Sequence, residues 1–429
     1  MSKARVALIG AGLRGQGYTE YALRHPDEMQ VVAVADPNPN RREKMRREHG
    51  IEAGLCFEDW RELLARPKLA DAVLVCTQDK MHYEPTMRAL EAGYHVLLEK
   101  PMSPDPFECI AMGEKAKEAG LVFSICHVLR YTSFFGTLKR LLDEGRIGRL
   151  LSIQHNENVG YWHQAHSFVR GNWRNSTESS PMILAKSSHD MDILLWLAGA
   201  DCVRVSSFGS LSHFRAERAP EGAPERCTDG CPASETCLYY APRIYLGEDP
   251  GWLGAAISDD PGYEAREKAL REGPYGRCVY RCDNDVVDHQ VVNLEFENGV
   301  TAAFSMTAFT NDVSRTLKLM GTEGEIRASM ENDDIELIRF GASARERIKA
   351  DAAGSAGQEG GHGGGDGGIV RDFVRLVRDG GKGKGLTAAE DAVQSHLMAF
   401  AAERSRLRRE VVDLAPFRDG VIRERAARA

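Results

Sequence analysis

Residues 6–15 (VALIGAGLRG) decide the fold of this chain. The apolar first half predicts a short buried strand, and the second half is a G-x-G-x-x-G run that opens helix-like sequence. In such a βαβ start, Gly10 makes the tight turn, Gly12 admits a diphosphate, and Gly15 lets helix and strand pack closely. The unpaired N–H groups at the start of a helix attract anions. The stretch therefore predicts a dinucleotide-binding site.

An acidic residue at the end of the second predicted strand, Asp36, indicates which dinucleotide binds. A carboxylate there accepts hydrogen bonds from the ribose hydroxyls and repels a 2′-phosphate, which favours NAD over NADP. Arg41 and Arg42 lie close in sequence and leave NADP open. Within the turn, Leu13 and Arg14 are expected to line the same site.

The pattern along the chain predicts two domains. Up to about residue 128, short apolar strands alternate with helical segments, as in a parallel sheet covered on both faces. From residue 129 to about 418 the strands are longer, and Asn298-Gly299 between two of them indicates a β-hairpin. We predict an α/β Rossmann dinucleotide-binding domain followed by an α+β domain with a mainly antiparallel sheet. Residues 216–285 read as a cysteine-rich insertion in the second domain.

Together with the glycine turn, the tripeptide Glu99-Lys100-Pro101 and the segment from Thr77 to His82 resemble the Gfo/Idh/MocA family of sugar and polyol oxidoreductases. The resemblance extends over most of the chain. It implies that Lys100 reaches the substrate hydroxyl beside the nicotinamide, where an ammonium can stabilise an alkoxide. It also implies a cofactor site lined by the following residues: Gly10, Gly12, Leu13, Arg14, Gly15, Asp36, Thr77, His82, Glu99 and Lys100.

A second group of titratable residues follows Ser180-Pro181, which we interpret as a hydroxyl cap and first position of one helix that ends at Gly199. Charged groups on an otherwise apolar helix are costly to bury, so they indicate a site. The group contains Lys186, His189, Asp190 and Asp192.

In many family members the corresponding helix carries Asp four residues before the His, but this chain has Ala185 at that position. We expect His189 to be the general acid/base and the neighbouring Lys186 to orient it or to contact the hydroxyl. Asp190 and Asp192 are expected to bind sugar hydroxyls or to fix the histidine tautomer.

Polar and aromatic side chains outside these motifs complete the candidate site. Arg130 follows the last strand of the first domain, and Trp173 lies in the segment before Lys186; both are predicted to contact substrate. The glycine-rich residues 354–368 have two interpretations, a flexible linker or a lid that brings His362 and Asp366 to the ligand.

Five cysteines are concentrated in residues 216–285: Cys227, Cys231, Cys237, Cys278 and Cys282. Thiolates at such spacings suit a tetrahedral structural zinc ion, which is the interpretation we favour. An iron–sulfur cluster, a redox disulfide and reduced thiols without a ligand stay open. This cysteine pattern is not the common one in the family and indicates a subgroup.

Composition excludes several classes of function. The formal net charge is −8 and no basic stripe is present, which disfavours a nucleic-acid partner. No apolar stretch is long enough for a membrane span or a signal peptide, so a cytoplasmic location is expected. A homo-oligomer, dimer or tetramer, is implied by the resemblance.

We therefore expect an NAD-dependent oxidoreductase that acts on a secondary hydroxyl of a sugar, polyol or glycoside. The alternative is an NAD-dependent glycoside hydrolase or lyase that oxidises its substrate transiently. A third hypothesis is a ligand-sensing protein without catalysis.

Overall fold

The computed structural model describes residues 2–350 and 361–427, so residues 354–360 of the glycine-rich run lie outside the described part. The first sheet has the strand order β3-β2-β1-β4-β5-β6, and all its pairings are parallel. Its strands are β1 (Ala4–Ile9), β2 (Met29–Ala35), β3 (Cys56–Phe57), β4 (Ala72–Val75), β5 (His95–Leu98) and β6 (Phe123–Ile125). This is the predicted Rossmann arrangement.

Helices cover both faces of this sheet, which explains why its strands are apolar throughout. In β1, Val6 and Leu8 pack into one apolar cluster and Ala7 and Ile9 into another on the opposite face. The helices of the first domain are α1 (Leu13–Arg24), α2 (Pro39–His49), α3 (Trp60–Leu64), α4 (Tyr83–Glu91) and α5 (Pro106–Ala119). The strand order reverses between β1 and β4, and ligands of such sheets bind at that reversal.

The second sheet has the order β14-β13-β12-β11-β7-β10-β9-β8-β15 and is mainly antiparallel, with β7 and β10 parallel. Its strands are β7 (Leu150–Asn158), β8 (Cys202–Ser210), β9 (His289–Phe296), β10 (Thr301–Thr307), β11 (Ser314–Gly321), β12 (Gly324–Ser329), β13 (Asp334–Arg339), β14 (Glu346–Lys349) and β15 (Val412–Asp413). Gly299, at φ +81°, turns the predicted hairpin between β9 and β10. The predicted fold class is therefore confirmed.

Helices of the second domain cover one face of this sheet and extend to the first domain. They are α6 (Ser133–Asp143), α7 (Tyr161–His163), α8 (Met182–Ala185), α9 (Ser188–Ala198), α10 (Ala241–Tyr245), α11 (Gly251–Ile257), α12 (Tyr263–Glu272), α13 (Gly365–Arg378), α14 (Ala389–Arg408) and α15 (Leu414–Ala426). A π-helical segment, Gln164–Arg170, continues from α7. Helices α10 to α12 lie in the insertion, where Ala241, Tyr245 and Leu270 form a small apolar core.

The described part of the glycine-rich run, from Gly361 onward, packs closely against the chain. A Cβ atom on Gly365 would lie 2.4 Å from the carbonyl oxygen of Val128, and one on Gly368 would lie 2.7 Å from Cβ of Tyr131. Glycine is needed here for close approach. These residues therefore do not behave as the linker of the first interpretation.

Candidate active site

The glycine turn between β1 and α1 has the geometry of a dinucleotide cradle. Gly10 has φ +92°, and a Cβ there would lie 2.5 Å from the carbonyl oxygen of Cys76. A Cβ on Gly15 would lie 2.2 Å from the carbonyl oxygen of Gly10, so α1 touches the turn directly. At Gly12, by contrast, the nearest atom would be Nη1 of Arg41 at 3.9 Å. The backbone at Gly12 is open to a diphosphate, and the residues present fit this group.

Asp36 borders this turn at the end of β2. Its carboxylate accepts hydrogen bonds from the backbone N–H of Ala11 at 2.7 Å and of Asn38 at 2.8 Å. The carboxylate is therefore fixed where a ribose would lie. We call the glycine turn, Asp36 and the carboxyl ends of β1 and β4 the cofactor groove.

Arg14 joins the groove to two distant parts of the chain. Its Nε donates to Glu99 at 2.7 Å, and its Nη1 donates to Asp366 at 2.9 Å. Burial opposes the charged form of Glu99, but Arg14 and Lys100 outweigh it and lower the pKa of Glu99. The predicted cofactor residues Arg14 and Glu99 thus form an ion pair beneath the groove. Leu13, also predicted there, is half exposed at the start of α1.

Two further predicted cofactor residues, Thr77 and His82, contact one another after β4. The imidazole of His82 is buried, with Nε2 3.0 Å from the carbonyl oxygen of Thr77 and Nδ1 2.7 Å from that of Pro101. The Lys100–Pro101 peptide bond is cis. His82 therefore holds the turn that carries Lys100 in place.

Lys100, at the end of β5, reaches into the second domain. Its Nζ donates a hydrogen bond to the carbonyl oxygen of Ala185 at 2.8 Å. Burial lowers the pKa of Lys100, and the nearby Lys186 ammonium lowers it further, against the opposing effect of Glu99. Two lysines from different domains therefore meet at the residue where many family members carry aspartate.

The single helix predicted from Ser180 to Gly199 is wrong in one respect, because it is two helices. Helix α8 ends at Ala185, and α9 begins at Ser188 and ends at Gly199 in the left-handed conformation. The break gives Lys100 access to the carbonyl oxygen of Ala185. The predicted hydroxyl cap is also wrong, since Ser180 donates to Asp79 at 2.8 Å instead.

His189 lies in the first turn of α9 and is 7% exposed. Burial lowers its pKa well below the usual value, and the positive charge of Lys100 acts in the same direction. The imidazole is consequently neutral at physiological pH and can accept a proton. Its Nδ1 is buried, and no group among residues 2–350 and 361–427 hydrogen-bonds it.

Lys186 belongs to a buried charged network on the other side of the break. Its Nζ lies 3.3 Å from Oε1 of Glu157 on β7. Arg315 on β11 contacts Glu157 and also donates from Nε to Asp190 at 2.8 Å. Burial opposes the charged form of Asp190, but Arg315 outweighs it and keeps its pKa low. Asp190 also lies 2.7 Å from Nε2 of His155.

A second buried pair fixes α9 to the end of the first domain. Arg130 donates to Asp192 at 2.8 Å from Nε and at 2.7 Å from Nη2. Nδ1 of His127 lies 2.9 Å from the same carboxylate. Despite burial, Arg130 and His127 lower the pKa of Asp192 to about 2.

Three of the predicted substrate contacts lie in these two networks. Arg130, Asp190 and Asp192 are buried and paired with one another or with Arg315, and these pairs hold α9 in position. Their contact with substrate stays a prediction. Trp173, the fourth predicted contact, is half-buried and donates from Nε1 to Asp79 at 3.2 Å.

The five cysteines of the insertion are all free thiols. Nη2 of Arg170 lies 3.6 Å from Sγ of Cys227, and Sγ of Cys282 lies 3.3 Å from the carbonyl oxygen of Cys278. Burial raises the pKa of Cys282 to about 11 and also raises that of Cys278. In residues 2–350 and 361–427, no three His, Cys, Asp or Glu side chains are arranged to hold a metal ion. The predicted zinc site is therefore not confirmed.

Several residues near Lys100 and Lys186 were not predicted from the sequence. Glu157 and Arg315 lie on strands where a single charged residue gives no sign of burial. His163 is close enough to Lys186 that the ammonium, in addition to burial, lowers its pKa. Asp79 could have been identified as a site residue from the sequence, because it lies just after β4, at the carboxyl edge of the parallel sheet where ligands bind.

The glycine cradle, the ribose carboxylate and the lysines between two domains define a class, the two-domain NAD-binding oxidoreductases. Residues 4–127 match the oxidoreductase family's NAD-binding Rossmann fold, and residues 139–414 match its C-terminal alpha/beta domain. The chain belongs to the Gfo/Idh/MocA family of oxidoreductases.

Similar proteins include dehydrogenases and a hydratase. The chain is 29% identical over 213 residues to scyllo-inositol 2-dehydrogenase (NAD(+)) of Bacillus subtilis, covering 49% of this chain and 58% of that protein. It is 28% identical over 208 residues to 2,7-anhydro-N-acetylneuraminate hydratase of Escherichia coli, covering 48% and 53%. The chain thus spans little more than half the length of these relatives.

Solved structures share the fold. One of them, levoglucosan dehydrogenase in complex with NADH and L-sorbose, superimposes with a TM-score of 0.72 at 21% identity. The match covers 96% of this chain and 99% of that one. No helix within the described residues is both long and apolar enough to span a membrane.

Proposed function

We propose that this protein catalyses reversible, NAD-dependent hydride transfer at a secondary hydroxyl carbon of a sugar, polyol or glycoside. The observation that carries the proposal is the contact between Lys100 Nζ and the carbonyl oxygen of Ala185. It brings the ammonium of the Rossmann domain to the break between α8 and α9, just before the turn that carries His189. Lys186, next in sequence, adds a second positive charge at the same place.

In this proposal the chain's own residues hold and move one proton. Lys100 donates a hydrogen bond to the substrate oxygen and stabilises the alkoxide as it forms. His189 is neutral because burial lowers its pKa, so its imidazole accepts the hydroxyl proton. NAD, when bound along Gly10–Gly15 and Asp36, supplies the hydride acceptor. Lys186, held by Glu157, orients His189 or contacts the same hydroxyl.

The named relatives support the choice of substrate class. An inositol and an anhydrosugar are both ring compounds with secondary hydroxyls, and they appear in the names of a relative and of a solved structure. Asp36 supports NAD over NADP, since its carboxylate points to the groove while its neighbour Arg41 contacts Asp259 at 3.5 Å.

The test of this proposal is a panel of inositols, sugars and glycosides supplied with NAD. We expect NADH to accumulate in proportion to the substrate oxidised. A protein that binds neither NAD(H) nor NADP(H) would contradict the proposal.

Redox-neutral cleavage of a glycoside or addition of water is the second candidate, and the hydratase among the relatives favours it. Transient oxidation would acidify the neighbouring C–H, and the hydride would return at the end. The same panel separates the two functions, because this reaction releases or converts sugar without net NADH.

Three sequence-based predictions complete the proposal. A homo-oligomer and a cytoplasmic location stay predictions, which sedimentation and cell fractionation would check. The predicted zinc also stays a prediction for the purified protein, and elemental analysis would decide it.

A further inference from the structure

An aromatic wall stands beside the two lysines, and nothing in the proposed reaction uses it. It consists of Trp162 and His163 on α7 and Trp252 on α11 of the insertion. The ring centroids of His163 and Trp252 are 5.7 Å apart, and those of Trp162 and Trp252 are 6.2 Å apart. The ring centroids of His166 and Trp252 are 4.9 Å apart, and the two rings are nearly perpendicular.

The wall adjoins the reacting groups through β7, because α7 follows that strand directly and Oε1 of Glu157 on β7 lies 3.3 Å from Nζ of Lys186. The ammonium groups of Lys186 and Lys100 also contribute, after burial, to the lowered pKa of His163. The His163 side chain also hydrogen-bonds the backbone of Val159. A neutral imidazole has one donor and one acceptor nitrogen, so the nitrogen not used in that bond can bond a ligand hydroxyl.

Trp252 is exposed although its own helix has an apolar core to pack into. Leu253 and Ile257 of α11 pack against Ala241, Tyr245 and Leu270, whereas Trp252 is 49% exposed. Other rings hold the indole of Trp252 in place, and part of its surface is exposed. Such an indole is suited to stacking against the face of a ligand ring.

The spacing of the rings decides where such a ligand stacks. A ring inserted between two others needs about 7 Å between their centroids, since carbon atoms in contact are about 3.5 Å apart. Trp162 and Trp252 are closer than this at 6.2 Å and tilted by 54°. The ligand ring therefore stacks on the outer surface of the pair.

The insertion that carries Trp252 also reaches the cofactor groove. Asp259 lies 3.3 Å from Nδ2 of Asn38 and 3.5 Å from Nη2 of Arg41. The segment from Trp252 to Asp259 thus runs from the aromatic wall to the ribose end of the groove. It borders the space in which a substrate longer than one ring would extend.

We propose that Trp162, His163 and Trp252 form a subsite for a second ring, so that the substrate is a glycoside or disaccharide rather than a free monosaccharide. This inference rests on the proposed function for the position of the first ring. The indoles bind the C–H face of the second ring, and His163 bonds one of its hydroxyls.

The test measures binding and turnover separately, with Trp252→Ala and the control Tyr263→Ala, an exposed aromatic residue of the same insertion. Calorimetry with saturating NADH compares cellobiose, lactose and p-nitrophenyl glucoside with glucose and galactose. We expect Trp252→Ala to weaken binding of the two-ring ligands about tenfold and the free sugars less than about twofold. Tyr263→Ala should change neither.

Equal losses for one-ring and two-ring ligands, or a wild type that binds both classes equally, would overturn the subsite. NADH production from the two-ring substrates is read in parallel samples that contain NAD in place of NADH. If it is absent while the binding difference is present, the proposed function fails and the subsite stands. If it is present and Trp252→Ala has no effect, the subsite fails alone.

Discussion

Lys100 is the residue that the proposed reaction needs most directly. In Lys100→Met the substrate oxygen loses its cationic hydrogen-bond donor, and we expect kcat to fall by about 10²- to 10⁴-fold. NADH affinity should change little, because the glycine turn and Asp36 are untouched. The control is Lys68→Met, since Lys68 is an exposed lysine of the same domain. Equal activity in the two variants would contradict the role of Lys100.

His189 gives a prediction about pH. Burial and the Lys100 ammonium lower its pKa well below the usual value, so the imidazole should still be neutral at pH 6.5 and alcohol oxidation should not decline there. Lys100→Met removes a positive neighbour, which favours the imidazolium and raises the pKa of His189. NMR titration measures both proteins. A titration near pH 6.5 in the wild type would contradict this account.

The sequence predicted these two residues but not their supporting contacts. Lys100 and His189 stand in recognisable local patterns, a strand end and a polar turn on an apolar helix. Their partners, such as Ala185 and Glu157, are distant in sequence and became visible only when two domains were brought together. The same limit hid the partners of Asp190 and Asp192, which pair with Arg315 and Arg130.

At the scale of elements, α1 offers a matched pair of glycines. A Cβ on Gly15 would lie 2.2 Å from a backbone oxygen, whereas Gly17 has nothing within 4 Å. Gly15→Ala should destabilise the protein and abolish NADH binding. Gly17→Ala should stabilise it by about 0.5–1 kcal/mol, because alanine favours helix. Thermal unfolding and NADH titration measure both, and equal behaviour of the two variants would contradict the geometry.

The contact of β11 with α9 depends on Arg315. Arg315→Met removes the cation that two buried carboxylates share, leaving Glu157 with Lys186 and Asp190 with His155. We expect a loss of about 3–5 kcal/mol in the free energy of unfolding. Arg204→Met removes an exposed pair with Glu295 and should cost about 0–1 kcal/mol. Denaturant unfolding distinguishes the two. A similar small loss in both would show that the buried network does not hold α9.

Element boundaries were predictable where glycine or proline marks them. Gly199 ends α9 and Gly299 turns the hairpin, as their sequence context indicates. The break between α8 and α9 was missed because the apolar pattern continues through it. Its local signal is Ser187-Ser188, which suits a new helix start.

At the scale of the whole molecule, buried histidines link acidity to stability. Burial lowers the pKa of His166 to about 4 and that of His396 to about 3. These groups are neutral when folded but protonate near pH 6.5 when unfolded. Stability is therefore complete above pH 6.5 and falls as the pH drops from 6.5 towards 3, by at most about 1.4 kcal/mol per pH unit for each histidine.

His396→Gln should reduce this slope, because glutamine keeps an acceptor for the N–H of Met102 and does not titrate. Denaturant unfolding between pH 7 and pH 4 measures it. An unchanged slope in the variant would exclude His396 as a source of the acid sensitivity.

The two-domain architecture was predictable because each domain has its own strand pattern, continuous in the first and alternating in the second. How the insertion folds was not, since its short helices depend on a small core of distant residues. The cysteine spacing suggested a metal, and only the folded chain shows the thiols bonded to backbone and to Arg170.

The central claim is that hydride transfer occurs where Lys100 meets the break between α8 and α9, just before His189. Its most direct test is NADH formation from NAD with inositols, sugars and glycosides, in the wild type and in Lys100→Met. The account predicts NADH in proportion to oxidised substrate for the wild type and a loss of at least about 100-fold in the variant. An unchanged rate in Lys100→Met, or NAD bound with no sugar altered across the panel, would contradict it.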